Sequence, residues 1–454
     1  MIVIEAASHL KVCRTADVIV VGGGPAGVAA AVASARNGAD TVLIERYGHL
    51  GGLATGGLVL LIMPMSDAAG KQHIGGLCQE IIDRLDTFGA SVHPRYEDLG
   101  SDDSELVGYW LSRGCRFFAS EGRVTLNALF DPEMLKCVLN EMVEEAGVKL
   151  FLHSLGARAV VEDDSMQGVI FESKSGRQAL LGKVIVDATG DGDIFASAEA
   201  AYDSNTDWKL RSSKLALVFR VGNVDFVRFA AFRQSRQDEY NMLMSEIETL
   251  GGFSMWLPAW TESVVWFNNY IPGLNGLSVE DLTWVEINAR KKMLLTHDFF
   301  SRRVPGFENS FIIDTASQVG VRVTRRLIGE HIVTEEEMQA GILHEDTIAV
   351  IPARQWDHSI AEPLVYIPYR SLLPHKVENL LAAGRCFSSD RVANDILSPI
   401  QCCIAMGQAA GTSAALAAAR GISPRMVDHR ALQERLSAQN VPLPDRLKPH
   451  IQTV

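Results

Sequence analysis

The stretch A-D-V-I-V-V-G-G-G-P-A-G-V-A-A-A-V-A-S-A-R-N-G-A-D-T-V-L-I-E, from Ala16 to Glu45, decides the fold. Val18–Val21 is an unbroken β-branched run and reads as a buried parallel strand. Gly22, Gly24 and Gly27 then form G-x-G-x-x-G, and small residues at helical density follow from Ala26 to Ala35. A second apolar run, Thr41–Ile44, ends in Glu45. Each part has a physical task. Gly22 makes the tight turn, Gly24 lets a pyrophosphate approach the backbone, and Gly27 lets helix and sheet pack closely. The helix start offers free N–H groups and a positive dipole end to phosphate. Glu45 stands where a carboxylate accepts both ribose hydroxyls, which favours a free 2′-OH over a 2′-phosphate. A lone G-x-G-x-x-G is weak. Strand, turn, helix, strand and acid in order predict a dinucleotide site.

Outward from this unit, a loop with five glycines, Gly48–Leu58, follows, and then a predicted helix over Leu77–Leu85. Residues 86–115 read as a polar, irregular surface excursion. Asp131-Pro132 starts a helix that Gly147 stops. Short β runs between Lys149 and Val186 read as a β-meander leading into D-A-T-G-D-G-D, Asp187–Asp193. Residues 200–370 differ in character. They hold Trp208, Trp256, Trp260, Trp266, Trp284 and Trp356, with strands predicted at Lys214–Val221, Ser263–Ile271 and Phe311–Gln318. Helices are predicted at Val224–Leu250 and Val279–Phe299. A short strand, Asn379–Arg385, and an apolar helix, Ile404–Arg420, then return to the nucleotide unit. The expected fold is α/β. A discontinuous Rossmann-like dinucleotide-binding domain (1–60, 116–200 and 375–430) combines a parallel sheet with a β-meander. An inserted α+β substrate domain comprises 61–115 and 201–374, and 431–454 is a C-terminal tail.

The 454 residues carry a net charge of −13, which argues against nucleic acid or an anionic membrane as partner. Seven scattered cysteines, with no C-x-x-C, predict reduced thiols in a cytoplasmic protein. No signal peptide, membrane span or metal site is expected.

With these motifs in place, the sequence resembles the FAD-dependent oxidoreductase family of the glutathione-reductase-like flavoprotein superfamily. The carrying segments are V-V-G-G-G-P-A-G (20–27), I-E-R (44–46), G-H-L-G-G (48–52), D-A-T-G-D-G-D (187–193), G-V-R-V-T-R-R (320–326), I-P-Y-R-S-L-L-P (367–374), N-L-L-A-A-G-R-C (379–386) and A-M-G-Q-A-A-G-T (405–412). The related flavin subunit of heterodisulfide reductases adds iron–sulfur clusters, whose cysteine runs are absent here. The resemblance implies that FAD lies with its pyrophosphate against Gly22, Gly24, Pro25, Ala26 and Gly27. It puts the ribose at Glu45 and Arg46, the adenine beside Ala157, and the AMP half near Thr189 and Gly190. Gly51 and Gly52 would approach the isoalloxazine. Its flavin end would meet Gly384, Arg385 and the helix start from Gln401 to Gly407. Ser398 stands where the family often has a basic residue, which bears on any inherited anion contact there.

A flavin carries the redox chemistry, so the protein must supply orientation and a base. His358, in R-Q-W-D-H, is the candidate base, because an imidazole titrates near neutrality; a solvated surface histidine is the alternative. His49 can line the flavin or attach it covalently, or sit on the surface. Arg322, Arg325 and Arg326 suit a substrate carboxylate or the pyrophosphate, or else pair with nearby acids. Tyr369 and Arg370 are candidates for the domain interface, with a packed core Tyr369 as the alternative. Cys402-Cys403 read as small buried residues. The expected activity is oxidation of a small polar metabolite by hydride transfer to flavin N5. O2 or a redox partner would reoxidise the flavin, and a homodimer is the expected assembly. The alternatives are a flavin-bearing subunit serving an iron–sulfur partner and a non-catalytic FAD- or NAD-binding protein.

Overall fold

The structure, a computed structural model, describes residues 9–113, 116–353 and 364–447. A seven-stranded sheet forms its centre. Its parallel strands run in the order Lys149–Phe151, Thr41–Ile44, Lys11–Val21, Gly176–Asp187, Leu380–Ala382. Strand Gly176–Asp187 serves twice. Its first half pairs antiparallel with Ser165–Ser173, which pairs in turn with Leu155–Glu162 to make the meander. Its last residues, Ile185–Asp187, pair parallel with Leu380–Ala382. The continuous apolar run of the first strand follows from burial on both faces. Val18 and Val20 join one core cluster, and Ile19 and Val21 join the other.

Helix Pro25–Arg36 covers one face and packs along helix Ile400–Arg420. The contact is backbone on backbone. A Cβ on Gly407 would collide with the Ala26 carbonyl, and one on Gly411 with the Ala30 carbonyl. That explains the run of small residues on both helices. Ile400–Arg420 is long and apolar enough to cross a membrane, yet most of it is buried inside the fold. It begins earlier than Ile404, with Pro399 as its N-cap.

The inserted part is built on an antiparallel sheet ordered Trp256–Pro258, Val265–Phe267, Phe219–Gly222, Phe311–Thr315. Helix Val279–Arg303 packs on it through Phe300, whose ring centroid lies 5.0 Å from those of both Phe267 and Phe307. Each such buried phenylalanine contributes about 1.5–3 kcal/mol of burial. The predicted helix Val224–Leu250 is two helices, Phe226–Ser235 and Gln237–Thr249, broken at Arg236.

Three expectations change. Residues 86–115 are not all irregular: Asp103 caps a helix, Ser104–Ser112, that buries Trp110. A three-stranded sheet of Leu61–Ile62, Ala128–Phe130 and Ser91–Val92 crosses the expected boundary at 115/116. The expected tail begins inside helix His429–Ala438, because Leu432 and Leu436 give it an apolar face that is fully buried.

Candidate functional site

The site begins at the carboxyl end of the first strand. Gly22 turns out of the sheet at φ +99°, where a Cβ would lie 2.5 Å from the Ala188 carbonyl. A Cβ on Gly27 would strike the Gly22 carbonyl, so both glycines are steric necessities. Gly24 is different: a Cβ there would meet nothing within 4 Å. It is the N-cap of helix Pro25–Arg36 and supplies no side-chain cap, so the helix start keeps its donors for a ligand. Glu45 is buried, and its carboxylate accepts the N–H of Gly23 at 2.6 Å and of Tyr47 at 2.8 Å. Two backbone donors thus aim it beside the turn.

A long cleft runs from Gly156 and Glu45, across Gly24 and Thr189, past Gly384 to Ile400, and on to Trp266 and Arg322. The D-A-T-G-D-G-D segment forms one wall. Asp187, fully buried at its head, accepts from Thr189 N and Oγ1 and from the N–H groups of Ile194 and Phe195. Burial pushes its pKa up to about 6 against the pull of those donors. Asp191 binds Arg385 at 2.8 Å and Thr324 Oγ1 at 2.8 Å. Burial raises the Asp191 carboxyl, but the Arg385 charge and these hydrogen bonds outweigh it and hold it below the usual range. Three remote chain segments meet in this network.

The far end of the cleft lies in the inserted part. Arg322 donates to Lys214 O at 3.0 Å and Asn268 Oδ1 at 3.1 Å, and its guanidinium sits 4.5 Å from the Tyr270 ring centre. Burial lowers its pKa to about 10, which leaves it charged at neutral pH. Trp266 and Leu257 add an apolar wall, and the indole N–H of Trp266 is spent on Pro258 O. Arg211 also lines this end and bonds to Asp395.

The FAD dependent oxidoreductase family matches residues 17–436, almost the whole chain. The chain belongs to this family. It is similar to digeranylgeranylglycerophospholipid reductase 2 of Methanopyrus kandleri, 27% identical over 175 residues, which is 38% of this chain. That match spans 37% of the relative's length. Among solved structures it resembles a geranylgeranyl bacteriochlorophyll reductase-like protein from Thermoplasma acidophilum (15% identity, 96% of this chain and 90% of that one, TM-score 0.45). It also resembles the myxobacterial chondrochloren halogenase CndH (14% identity, 93% and 78%, TM-score 0.45). FAD is the cofactor, and the residues present fit it. The open space at Gly24, the uncapped helix start and the aimed Glu45 carboxylate match a pyrophosphate and its ribose.

Most FAD residues expected from the sequence line the cleft: Gly22, Gly24, Pro25, Ala26, Glu45, Arg46, Gly52, Thr189, Gly190, Gly384 and Arg385. Gly27 sits beneath the turn. Gly51 stands just behind it, donating to Gly23 O at 2.8 Å. At the adenine end Leu155 and Gly156 line the cleft, whereas Ala157 does not. Gln401 is buried and donates its amide to Met63 O, so it positions a cleft residue without lining the cleft itself. Gly407 serves helix packing. His49 is set back from the cleft, stacked on Tyr47 at 5.6 Å with Nε2 3.3 Å from Ser317 Oγ. Burial and the charge of Lys136 keep its pKa below the imidazole norm. That placement gives covalent attachment no support.

Of the catalytic candidates among the described residues, Arg322 alone lines the cleft. Tyr369 is a core residue, its hydroxyl bonded to Ser413 and to Pro424 O. Arg370 pairs with Asp346 at 3.0 Å, outside the cleft. Arg325 and Arg326 pair with Asp193 and Asp203. His358 lies outside the described residues. Sequence reasoning missed Tyr47, Asn268 and Tyr270. Tyr47 had a signal, two residues after the ribose acid. Asn268 and Tyr270 had none: they lie past the end of strand Val265–Phe267, and only tertiary packing brings them to Arg322.

Proposed function

We propose that this enzyme oxidises a small polar metabolite that carries an anionic group. Arg322 supports this reading: a half-buried, charged guanidinium at the cleft end whose hydrogen-bond acceptors are neutral oxygens. An incoming carboxylate gains a charge-assisted, bidentate contact there. Asn268 and Tyr270 hold the guanidinium fork in place, and Trp266 and Leu257 exclude water from the substrate's apolar part. Bound FAD supplies a two-electron acceptor for hydride transfer. The start of helix Ile400–Arg420, which lines the cleft, presents its positive dipole end at the same place. Six free cysteines among the described residues support a reducing, cytoplasmic setting. The acidic net charge supports a small-molecule partner over nucleic acid, and we propose a homodimer as the assembly.

The test is anaerobic screening of hydroxy acids, amino acids and their amides for bleaching of the bound flavin. Acids should bleach it and the amides should not. Arg322→Gln should raise KM for the active acid about 10–100-fold, the loss of one charge-assisted contact, with FAD content unchanged. Equal reduction by acids and amides, or an unaltered KM, would sink this reading.

A further inference from the structure

We infer that His331, Glu337 and His344 form a site for a divalent cation of the zinc class, apart from the FAD cleft and independent of the substrate reading above. Their donor atoms lie within 4.8 Å of one another. His331 Nε2 is 2.9 Å from Glu337 Oε2, and His344 Nε2 is 4.0 Å from the same oxygen. The two imidazoles meet edge to face at 4.8 Å. Two imidazole nitrogens and one carboxylate oxygen are a ligand set that zinc-class cations accept, with water in the fourth place. Zinc bonds of about 2.0–2.1 Å set tetrahedral donors roughly 3.3 Å apart. His344, 4.0 Å from the shared oxygen, must draw in to reach that spacing. A hydrogen bond explains the His331–Glu337 pair, but it does not explain why a second imidazole is brought to the same oxygen and stops beyond hydrogen-bond length.

The backbone around each ligand is pinned. Thr347 donates twice to His344 O, at 3.2 Å from N and 2.8 Å from Oγ1. Glu337 is the third residue of a helix capped by Thr334. The neighbours of His331 are held by Glu330 N–Leu373 O at 2.9 Å and Val333 N–Ser388 O at 3.2 Å. The side chains are 17%, 27% and 10% exposed for His331, Glu337 and His344, sheltered yet reachable. The site also touches the enzyme's frame. Asp390 accepts from Glu335 N at 2.7 Å and caps helix Arg391–Leu397, which leads to the cleft residue Ser398. A bound cation clasps that corner and takes no part in hydride transfer.

The test titrates Zn(II) into chelator-treated, FAD-loaded full-length protein by calorimetry. Cys137→Ser serves as background, since Cys137 is exposed. One site with micromolar or tighter affinity is expected, weakened at least about tenfold by His331→Gln and by His344→Gln. FAD content checks that each variant is folded. Zn(II) should also raise the Tm of the background protein, a readout that needs no ligand variant. Absence of one-site binding below about 100 μM, equal affinity in both folded variants, or no rise in Tm overturns the proposal.

Discussion

Gly24 and Gly27 are three residues apart and forbid side chains for opposite reasons. At Gly27 a Cβ collides with the Gly22 carbonyl, so the requirement belongs to folding. At Gly24 a Cβ meets only open space, so the requirement belongs to the ligand. Gly24→Val should therefore keep the fold and lose the cofactor. We expect FAD content below about a tenth of wild type with an unchanged far-ultraviolet circular dichroism spectrum, because the side chain occupies the pyrophosphate's place. Full flavin content in that variant would refute the assignment. The arginines divide in the same way. Arg325 and Arg326 face carboxylates and are structural, whereas Arg322 faces neutral oxygens and the cleft.

Among the elements, the pair of helices Pro25–Arg36 and Ile400–Arg420 couples nucleotide binding to the core. Both start at the cleft, and small residues let them touch along their length. Gly411 lies well inside the contact, against the Ala30 carbonyl. Gly411→Val should force the helices apart and cost about 2 kcal/mol or more by overpacking, read as a lower urea midpoint. The first-turn glycine site is untouched by this change, so the variant should still bind FAD below its unfolding transition. A midpoint equal to wild type would show that the contact is looser than described. The small-residue pattern of both helices was legible in the chain. That they face one another was not, since several hundred residues separate them.

At the scale of the whole molecule, two carboxylates four residues apart drive stability in opposite directions with pH. Asp187 is buried and has its pKa raised to about 6. Its contribution is complete below its ordinary value near 4 and is lost as pH rises through 6. Asp191, held below the usual range by Arg385, contributes above that range and is lost as pH falls through its lowered value. Asp187→Asn removes the first effect alone. Between pH 4.5 and 7 the wild type should lose about 2 kcal/mol relative to that variant in urea unfolding. A difference that stays constant with pH would exclude the raised value.

By itself the sequence determined the dinucleotide unit. Gly22, Gly24, Gly27 and Glu45 are close in the chain, and their spacing is set by one strand, one turn and one helix. Turn sterics, helix dipole and strand burial all act over a few residues, so such motifs can be read locally. The class of the whole, α/β with later segments returning to complete the nucleotide site, was legible for the same reason. Only the tertiary structure decided the rest. Arg322 meets Lys214 across 108 residues, and Arg385 meets Asp191 across 194. Burial removed Tyr369 from the candidates, an ion pair removed Arg370, and a short helix with the chain on either side of it gathered His331, Glu337 and His344. Such contacts depend on strand register and on how whole layers stack. Those are set by the packing of the entire core, and no local spacing encodes them.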